Sequence, residues 1–376
     1  MSTNPRIYLD FNATAPLGDH VRAAMTAAMA DPGNPSSVHA EGRRARHRVE
    51  QARHHVARLL GRPREQVVFT SGGTEANALG VLGLAAVAER RGLPRVVAAA
   101  AIDHPSLRGA VAAVVARGWQ LRMIGVTGDG ALDVFGPGAL DGAGLVAVSA
   151  VNHELGTIAD ARVAAAARAA GALIHVDAVQ AAGKLSLAEL DADAIAVSAH
   201  KLGGPQGAGA LAIAADAGLP LIEAGHQERG RRPGTENTLG IIGFGAAAEA
   251  ADPAAWPAVR ALGERLEAGL RGLSGVRVHG AGAPRIGGTI NAGFAGARGE
   301  SIVIALDLAG IAASTGAACT SGSIQPSPVL LGLGLLPDQA LEAVRFSLGR
   351  TTTAAEIDAV LARLPAIVDR ARAHRG

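Results

Sequence analysis

The sequence predicts an α/β protein with a mostly parallel sheet covered by helices, followed by a smaller α+β part. Residues 67–214 alternate short apolar runs with longer segments of helical periodicity, a pattern typical of βαβ units. Beyond Asp252-Pro253 the predicted order changes to helix, strand, strand, helix, strand, strand, helix. The chain has 376 residues, of which 49% are hydrophobic, so it can bury a large core.

The first strong element is an arginine-rich helix over residues 41–60. Its apolar residues recur at helical spacing and are Val49, Ala52, Val56, Leu59 and Leu60. Its arginines are Arg43, Arg44, Arg46, Arg48, Arg53 and Arg58. A solvated face is a commoner fate for such arginines than a phosphate-binding surface, so we expect them to be exposed.

Strands and helices then alternate along the chain. Strands are predicted over residues 67–70, 95–102, 119–125, 145–150, 172–176, 194–199 and 209–214, with helices over 75–91, 105–117 and 161–170. The C-terminal part is predicted to contain helices over 254–271, 299–308 and 354–373 and strands over 276–279, 289–294, 311–314 and 344–348. We therefore expect a large domain over residues 15–252 and a small domain formed by residues 1–14 and 253–376.

Composition and charge exclude several classes of protein. The formal net charge is +2, from 35 basic and 33 acidic residues, and aromatic residues make up 2%, so no nucleic-acid partner is expected. A single cysteine rules out an internal disulfide and a zinc site built on paired cysteines, and we expect no metal. The longest uncharged stretch, residues 308–337, contains polar residues and three prolines, so we expect no membrane span. Without a visible signal segment, the expected location is the cytoplasm.

The segment Phe69-Thr-Ser-Gly-Gly-Thr-Glu75 has features of a phosphate site at a strand end. Gly72 and Gly73 let backbone N–H groups approach an anion, Thr74 supplies a hydroxyl, and the following helix N-terminus favours negative charge. The segment lacks the lysine of a P-loop and the G-x-G-x-x-G pattern, so nucleotide-binding fingerprints fit it poorly. A plain strand–turn–helix connection explains the same residues equally well.

Two further apolar strands end in polar residues. One ends at Asp177 and is followed by Gln180, and an acid at such a position either caps a helix, the commoner case, or faces a ligand. The other runs into Ser198-Ala-His-Lys201. Desolvation at the end of a buried strand would lower the pKa of the Lys201 ammonium group and make the amine a nucleophile. A lysine that reaches the surface is the commoner alternative.

The only thiol, Cys319, lies in a loop rich in glycine and serine, residues 314–323. A lone buried cysteine is usually inert, whereas an exposed thiol in a polar loop is reactive. Arg345 interrupts a strand-like run over residues 344–349, and an inward arginine indicates recognition of a carboxylate.

The polar segments lie in collinear order over nearly the whole chain. They are residues 8–16 (YLDFNATAP), 33–37 (GNPSS), 70–75 (TSGGTE), His104, 175–180 (HVDAVQ), 198–201 (SAHK), 232–237 (RPGTEN), 314–323 (STGAACTSGS) and 345–350 (RFSLGR). Together they resemble the cysteine desulfurases of the NifS/IscS type, which belong to the class V aminotransferases. The resemblance implies a fold type I enzyme with pyridoxal 5'-phosphate as cofactor and a small domain that carries the cysteine loop.

The same resemblance implies a role for each matching residue. Lys201 would bind the cofactor aldehyde covalently, and Asp177 would pair with the pyridine nitrogen. His104 would stack on the ring and transfer a proton, and Gln180 would hydrogen-bond the phenolic oxygen. The implied phosphate ligands are Gly73, Thr74, Ser198, His200 and, from a second subunit, Thr235. The last contact implies a homodimer with shared active sites.

The sequence departs from the family at three places. Asn152-His153 precedes Glu154 where the family carries two asparagines, so we expect both residues to bind the cofactor and His153 also to bind the substrate. Residues 314–319 read STGAAC where the family has SSGSAC, and residues 325–328, QPSP, lack the usual acidic and aromatic residues. These differences concern the sulfur acceptor more than the chemistry.

The implied reaction converts L-cysteine to L-alanine and leaves the sulfur on Cys319 as a persulfide. Arg345 would bind the substrate carboxylate, and Lys201, His104 and Cys319 would be the catalytic residues. A sulfur-acceptor protein such as an iron–sulfur scaffold would then take the sulfur. Two alternatives stay open: another class V reaction, such as transamination or selenocysteine lysis, and a polyanion-binding protein that uses the arginines of residues 41–60.

Overall fold

The structure is a computed structural model that describes residues 6–214, 217, 221–316 and 325–373. Its strands are β1 (Ile7–Tyr8), β2 (Val67–Thr70), β3 (Val96–Ala100), β4 (Gln120–Val126), β5 (Leu132–Asp133), β6 (Leu145–Ser149), β7 (Leu173–Asp177), β8 (Ala194–Ser198), β9 (Gly209–Ile213), β10 (Val276–His279), β11 (Thr289–Phe294), β12 (Ile311–Ala312) and β13 (Ala343–Ser347). Its α-helices are α1 (Asp19–Met29), α2 (Ala40–Leu60), α3 (Gly73–Arg90), α4 (Pro105–Val115), α5 (Val163–Ala169), α6 (Thr238–Glu249), α7 (Trp256–Arg271), α8 (Gly299–Leu308), α9 (Pro328–Gly332), α10 (Pro337–Ala340) and α11 (Ala354–Ala373).

The large sheet has the strand order β2-β9-β8-β7-β6-β3-β4-β5. The four central pairs, from β8 to β4, are parallel, and the pairs nearer the edges are antiparallel. Successive residues of β6 pack into two different core clusters, with Val146 and Val148 on one face and Leu145 and Ala147 on the other. Both faces are therefore covered, as a parallel sheet requires, and the predicted α/β class with a mostly parallel sheet is confirmed.

A second sheet has the order β10-β11-β13 and is antiparallel. Helices α7 and α8 pack against this sheet, and α11 packs against both of these helices. The N-terminal strand β1 pairs in parallel with β12 through Ile7 and Ile311, and Asp10 forms a bridge with Ser347 at the end of β13. This attachment fixes the chain just beyond β1. That segment reaches the candidate site described below.

Helix α2 confirms the predicted amphipathic helix but corrects the prediction for one arginine. Val49, Val56 and Leu60 are fully buried, as expected from their spacing. Arg53 was expected on the exposed face, and instead only 1% of it is exposed. Its guanidinium forms two hydrogen bonds of 2.7 Å with the buried carboxylate of Glu228. The sequence pattern could not reveal this partner because it lies 175 residues away.

The sequence did not predict helices α1 and α6. Helix α6 contains three glycines in its 12 residues and shows no amphipathic pattern, so its intrinsic helix propensity is low. It is held by packing against α1 and α2. A Cβ at Gly245 would lie 2.6 Å from Ala52 Cα, so this glycine allows α6 and α2 to approach closely. Tertiary contact thus supplies the stability that the local sequence lacks.

Among the described residues, every helix is too short or too polar to cross a lipid bilayer.

Candidate active site

Polar residues at the carboxyl ends of the parallel strands converge on one cavity of about 510 Å³. Asp177 is the last residue of β7, Ser198 is the last residue of β8, and Asp103 and His104 follow β3. Lys201 comes three residues after β8. The location agrees with the general position of ligand sites in open α/β sheets.

Most of the predicted site residues line this cavity. They are Gly73, Thr74, His104, His153, Asp177, Gln180, Ser198, His200, Lys201 and Arg345. These residues come from six separated segments of the chain, and the fold brings them together at one edge of the large sheet. Cys319, the predicted sulfur-accepting residue, lies outside the described residues.

Two predicted cofactor ligands lie elsewhere. Asn152 is buried, but it is not part of the cavity wall. Its amide donates to the carbonyl of Ile102 at 2.8 Å and accepts from the backbone N–H groups of Glu154 and Leu155, which fixes the turn that carries His153. Thr235 is exposed and also lies outside the wall. In this chain Asn152 thus positions its neighbour, and Thr235 remains accessible to a second molecule.

One end of the cavity is the start of α3. The helix begins at Gly73, and no side chain of the described residues caps its first turn. A Cβ at Gly73 would lie 2.7 Å from Val179 Cγ2, so only glycine permits this close packing. Burial lowers the pKa of His200 to about 4, so its neutral ring keeps one N–H to donate. An uncapped helix start beside the hydroxyl of Ser198 can hold an anion such as a phosphate.

Asp177 lies on the floor of the cavity. Its Oδ1 accepts from the backbone N–H of Val179 at 3.0 Å, and its Oδ2 accepts from Asn77 Nδ2 at 2.7 Å. Burial raises the pKa of Asp177, whereas these two hydrogen bonds and the nearby His104 and Lys201 act in the opposite direction. The carboxylate is therefore oriented by neutral partners and can pair with a cationic group in the cavity.

The amine of Lys201 has only carbonyl oxygens as hydrogen-bond partners in the described structure. Its Nζ donates to the carbonyls of Asn12 at 2.5 Å and Ala13 at 2.8 Å. Burial lowers the pKa of Lys201 to about 8, and Arg345 acts in the same direction while Asp10 and Asp177 oppose it. A lysine with this pKa is in part an uncharged amine near neutral pH, as a nucleophile or a base requires.

Two histidines in the cavity wall contact each other edge to face. The ring centroids of His104 and His153 are 4.9 Å apart, with the planes at 81°. Burial lowers the pKa of both rings, so both are neutral near pH 7. His104 Nδ1 accepts from the backbone N–H of Ser106 at 3.1 Å, which leaves its proton on Nε2. The neutral His104 ring is therefore an N–H donor at Nε2.

Arg345 on β13 brings a guanidinium into the same cavity. It donates to Asp10 Oδ1 at 2.8 Å and to the carbonyl of His153 at 3.1 Å. Its Nε is buried and has no partner among the described residues. A substrate carboxylate that bound here could share the guanidinium with Asp10.

Sequence reasoning missed several residues that support the site. They are Asn12, Asn77, Asp103, Glu154 and Lys184. Burial raises the pKa of Asp103 to about 6, although this carboxylate accepts hydrogen bonds from backbone N–H groups of Ala100 and Ser149. A polar residue inside an otherwise apolar segment, such as Asn77 in α3, could have indicated these residues from the sequence. Such a residue does not reveal which side chain it contacts. In the described part of the chain, no cluster of three or more His, Cys, Asp or Glu side chains could hold a metal ion.

Comparison with known proteins gives a consistent result. The family model described as aminotransferase class V matches residues 7–360. A cysteine desulfurase from Enterobacter agglomerans is 39% identical, over 97% of this chain and 93% of the relative. The cysteine desulfurase IscS of an Anaeromyxobacter species is 40% identical, over 94% of this chain and 90% of the relative. A solved structure described as a NifS-like protein superposes with a TM-score of 0.87 at 30% identity, and it covers 97% of this chain and 100% of its own.

Proposed function

The chain belongs to the class V aminotransferase family, among its cysteine desulfurases of the NifS/IscS type, and from this premise we propose that it converts L-cysteine to L-alanine with pyridoxal 5'-phosphate as cofactor. The observation that carries the proposal is that Lys201, Asp177 and His104 line one cavity beside the uncapped start of α3. This cofactor needs four features from a protein: an amine for its aldehyde, a carboxylate for its pyridine nitrogen, a ring that stacks on it and a seat for its phosphate.

The cavity residues fit the cofactor chemically. Gly73, Thr74, Ser198 and His200 would hold the phosphate, because they offer N–H and hydroxyl donors at a helix N-terminus. Asp177 would hold a proton on the pyridine nitrogen, and Gln180 would donate to the phenolic oxygen. When bound, the cofactor ring supplies an electron sink for the carbon bonds of an amino acid attached to it.

The residues of this chain then perform the positioning and the proton transfers. Arg345 binds the substrate carboxylate, which fixes the Cα–H bond relative to Lys201. Lys201, as the uncharged amine, removes the Cα proton. The N–H at Nε2 of His104 supplies a further donor in the cavity, and the neighbouring His153 would also contact the substrate.

The thiolate of Cys319 accepts the sulfur. It attacks the sulfur atom of the substrate, the bond between Cβ and sulfur breaks, and the electron pair of that bond is protonated on carbon to give alanine. One cysteine and one enzyme thiol thus yield one alanine and one enzyme persulfide, with no external oxidant. A second protein thiol, for instance on an iron–sulfur scaffold, would take the terminal sulfur.

The proposal includes an assembly. Residues 15–252 would form the cofactor-binding domain, and residues 1–14 with 253–376 would form the small domain that carries Cys319. Thr235 is exposed in the single chain, so it is accessible to the phosphate seat of a second copy. We therefore propose a homodimer in which Thr235 of each copy reaches the phosphate seat of the other.

The direct test mixes the cofactor-loaded protein with L-cysteine and a thiol reductant and measures alanine and sulfide together. Equal amounts of both are expected. The Cys319→Ser variant should keep the cofactor and bind L-cysteine but release no sulfide, because a serine hydroxyl is a much weaker nucleophile than a thiolate. Sulfide release at the wild-type rate from this variant would exclude the persulfide route, and formation of a keto acid in place of alanine would favour transamination.

A further inference from the structure

The sequence contains only two lysines, and the proposed reaction uses one of them. The other, Lys184, is buried, with 7% of its surface exposed. Its Nζ lies 2.8 Å from Gln180 Oε1 and 3.4 Å from Asn12 Oδ1, and 5.5 Å from the centre of the Trp256 ring. These partners are neutral, so the described structure gives the charge no carboxylate to pair with.

Keeping a lysine here is energetically costly. Burial lowers the pKa of Lys184 to about 7, and the cations Lys201 and Arg345 act in the same direction. An apolar side chain at this position would avoid that cost. A buried lysine with two specific contacts next to a cavity is therefore a candidate for a role in that cavity.

The contact with Gln180 determines the orientation of an amide. Gln180 Nε2 donates to the main-chain carbonyl of Asn12 at 2.9 Å, and that carbonyl can only accept. Lys184 donates to Oε1, whether its amine is charged or neutral. Each contact favours this orientation, since a flip would place the amide oxygen against the Asn12 carbonyl and the amide N–H groups against the Lys184 ammonium. Asn12 uses one N–H of Nε2, and the second N–H remains for the cavity that Gln180 lines.

We propose that Lys184 is a positioning residue that keeps an N–H of Gln180, and not its carbonyl oxygen, turned toward the phenolic oxygen of the cofactor. The inference rests on the proposed function, because it takes pyridoxal 5'-phosphate as the occupant of the cavity. An N–H donor at this point stabilises the ionised phenolic oxygen, whereas a carbonyl would repel it. The same carbonyl of Asn12 also accepts from Lys201 Nζ, so the contact ties the cofactor-facing amide to the reactive lysine.

The test measures the visible absorption of the bound cofactor as a function of pH, without substrate. Lys184→Met removes the donor at similar side-chain length, so only the contact with the Asn12 carbonyl still opposes a flip of Gln180. The pH midpoint of the absorption change should rise by about one unit, and the cofactor should bind about tenfold more weakly, as expected for the loss of one hydrogen bond. Leu187→Ala is the control for a general loss of packing, because Leu187 is buried three residues further on and has no contact of this kind. Its midpoint should equal that of the wild type.

A second pair of variants separates positioning from simple charge. In a Gln180→Leu background, Lys184→Met should cause no further shift, because the amide through which it acts is absent. An equal shift in both backgrounds, or no shift in the single variant, would overturn the positioning role. If Lys184→Met does not fold, Lys184→Gln serves instead. It keeps an N–H donor without the charge, so a midpoint near the wild-type value supports the proposal and a full shift contradicts it.

The two proposals fail in different ways. A wild-type chain that takes up no cofactor would overturn the proposed function and the role of Lys184 together. If the wild type shows normal cofactor absorption and produces alanine, but the midpoint shifts of Lys184→Met and Gln180→Leu are additive, only the role of Lys184 is overturned.

Discussion

The buried pair Arg53–Glu228 and the cavity around Lys201 compensate buried charge in opposite ways. Arg53 donates two hydrogen bonds to Glu228 and one to the carbonyl of Val67, and Glu228 also accepts from the backbone N–H of Phe69. Although burial opposes the charge on Arg53, Glu228 raises the pKa of the guanidinium. In the cavity, burial instead moves the pKa of Lys201 and Asp177 toward the neutral forms. Full pairing stabilises the fold, and incomplete pairing leaves groups able to react.

The paired region also holds a strained segment that precedes Thr235. Glu228 and Arg229 have φ values of +48° and +59°, in the left-handed region that side chains rarely adopt. The ion pair with Arg53 holds this strained segment in place, and the segment leads within a few residues to Thr235. The comparison therefore predicts that variants of the cavity lose activity with little loss of stability, and that variants of the pair lose stability first.

The largest effect is expected for Lys201→Ala. Activity should fall by at least about 10³-fold, because the variant loses both the covalent attachment and the base. The melting temperature should stay close to that of the wild type, since no carboxylate loses an ion-pair partner in the described structure. Borohydride reduction of the loaded wild type should attach the cofactor to the peptide containing Lys201. A reduced adduct that persists in Lys201→Ala, on Lys184 for example, would contradict the assignment.

The next largest effect is expected for Arg53→Met, measured by urea denaturation. The free energy of unfolding should fall by about 3–5 kcal/mol, because the carboxylate of Glu228 stays buried without its partner. Arg58→Met on the same helix is the matched control, since Arg58 is exposed and makes one long contact of 3.4 Å to the carbonyl of Glu249. A loss equal to that of the control would show that the pair contributes little. The double variant Arg53→Met with Glu228→Gln should regain part of the stability.

The sequence predicted the elements whose apolar pattern is local. Strands such as β10 and β11 and helices α8 and α11 have the predicted bounds, because alternating apolar residues define these strands and a helical period defines these helices. It missed α6, whose Gly245 lies against α2 and whose Gly243 lies against Met25 of α1.

The candidate site shows the same limit. Motif residues such as Asp177 and Lys201 stand at strand ends, where the sequence draws attention to them. Their supporting partners do not: Asn12 comes from the N-terminal segment, and Asn77 lies inside α3, 100 residues from Asp177 in sequence. Asn152 shows the reverse case, since a residue inside a motif holds a turn and is not part of the cavity wall. Pairings over such separations depend on the tertiary fold.

The buried histidine next to the cavity should make the stability of the fold depend on pH. His175, beneath Asp177, is fully buried, and its Nε2 lies 2.9 Å from Asn77 Oδ1. Burial lowers the pKa of His175 to about 3, whereas the unfolded chain has a value near 6.5. Below pH 6.5 the unfolded state therefore binds a proton that the folded state excludes. Stability falls as the pH decreases, by about 1.4 kcal/mol per unit from this residue.

His175→Gln tests this dependence, because the amide can still donate to Asn77 and does not titrate. The slope of unfolding free energy against pH should be lower than that of the wild type by about half a proton at pH 6.5 and about one proton at pH 4.5, a difference of about 2 kcal/mol over that range. His20→Gln on the exposed surface of α1 is the control. Identical slopes in the wild type and in His175→Gln would show that His175 is not a source of acid sensitivity.

The smallest effect is expected for Thr235→Ala, and it tests whether the strained segment held by Arg53 and Glu228 serves a second subunit. Loss of one hydrogen bond to a phosphate from an exposed residue should weaken cofactor retention by about tenfold, or about 1.5 kcal/mol, without unfolding the chain. If Thr235 acts across a two-fold interface, a mixture of Lys201→Ala and Thr235→Ala chains forms hybrid dimers in which one site carries both defects and the other carries neither. At a cofactor concentration that leaves Thr235→Ala largely unloaded, such hybrids should be more active than either parent. Hybrids that form, as shown by differently tagged chains, and yet gain no activity would mean that Thr235 serves its own subunit or contacts no phosphate.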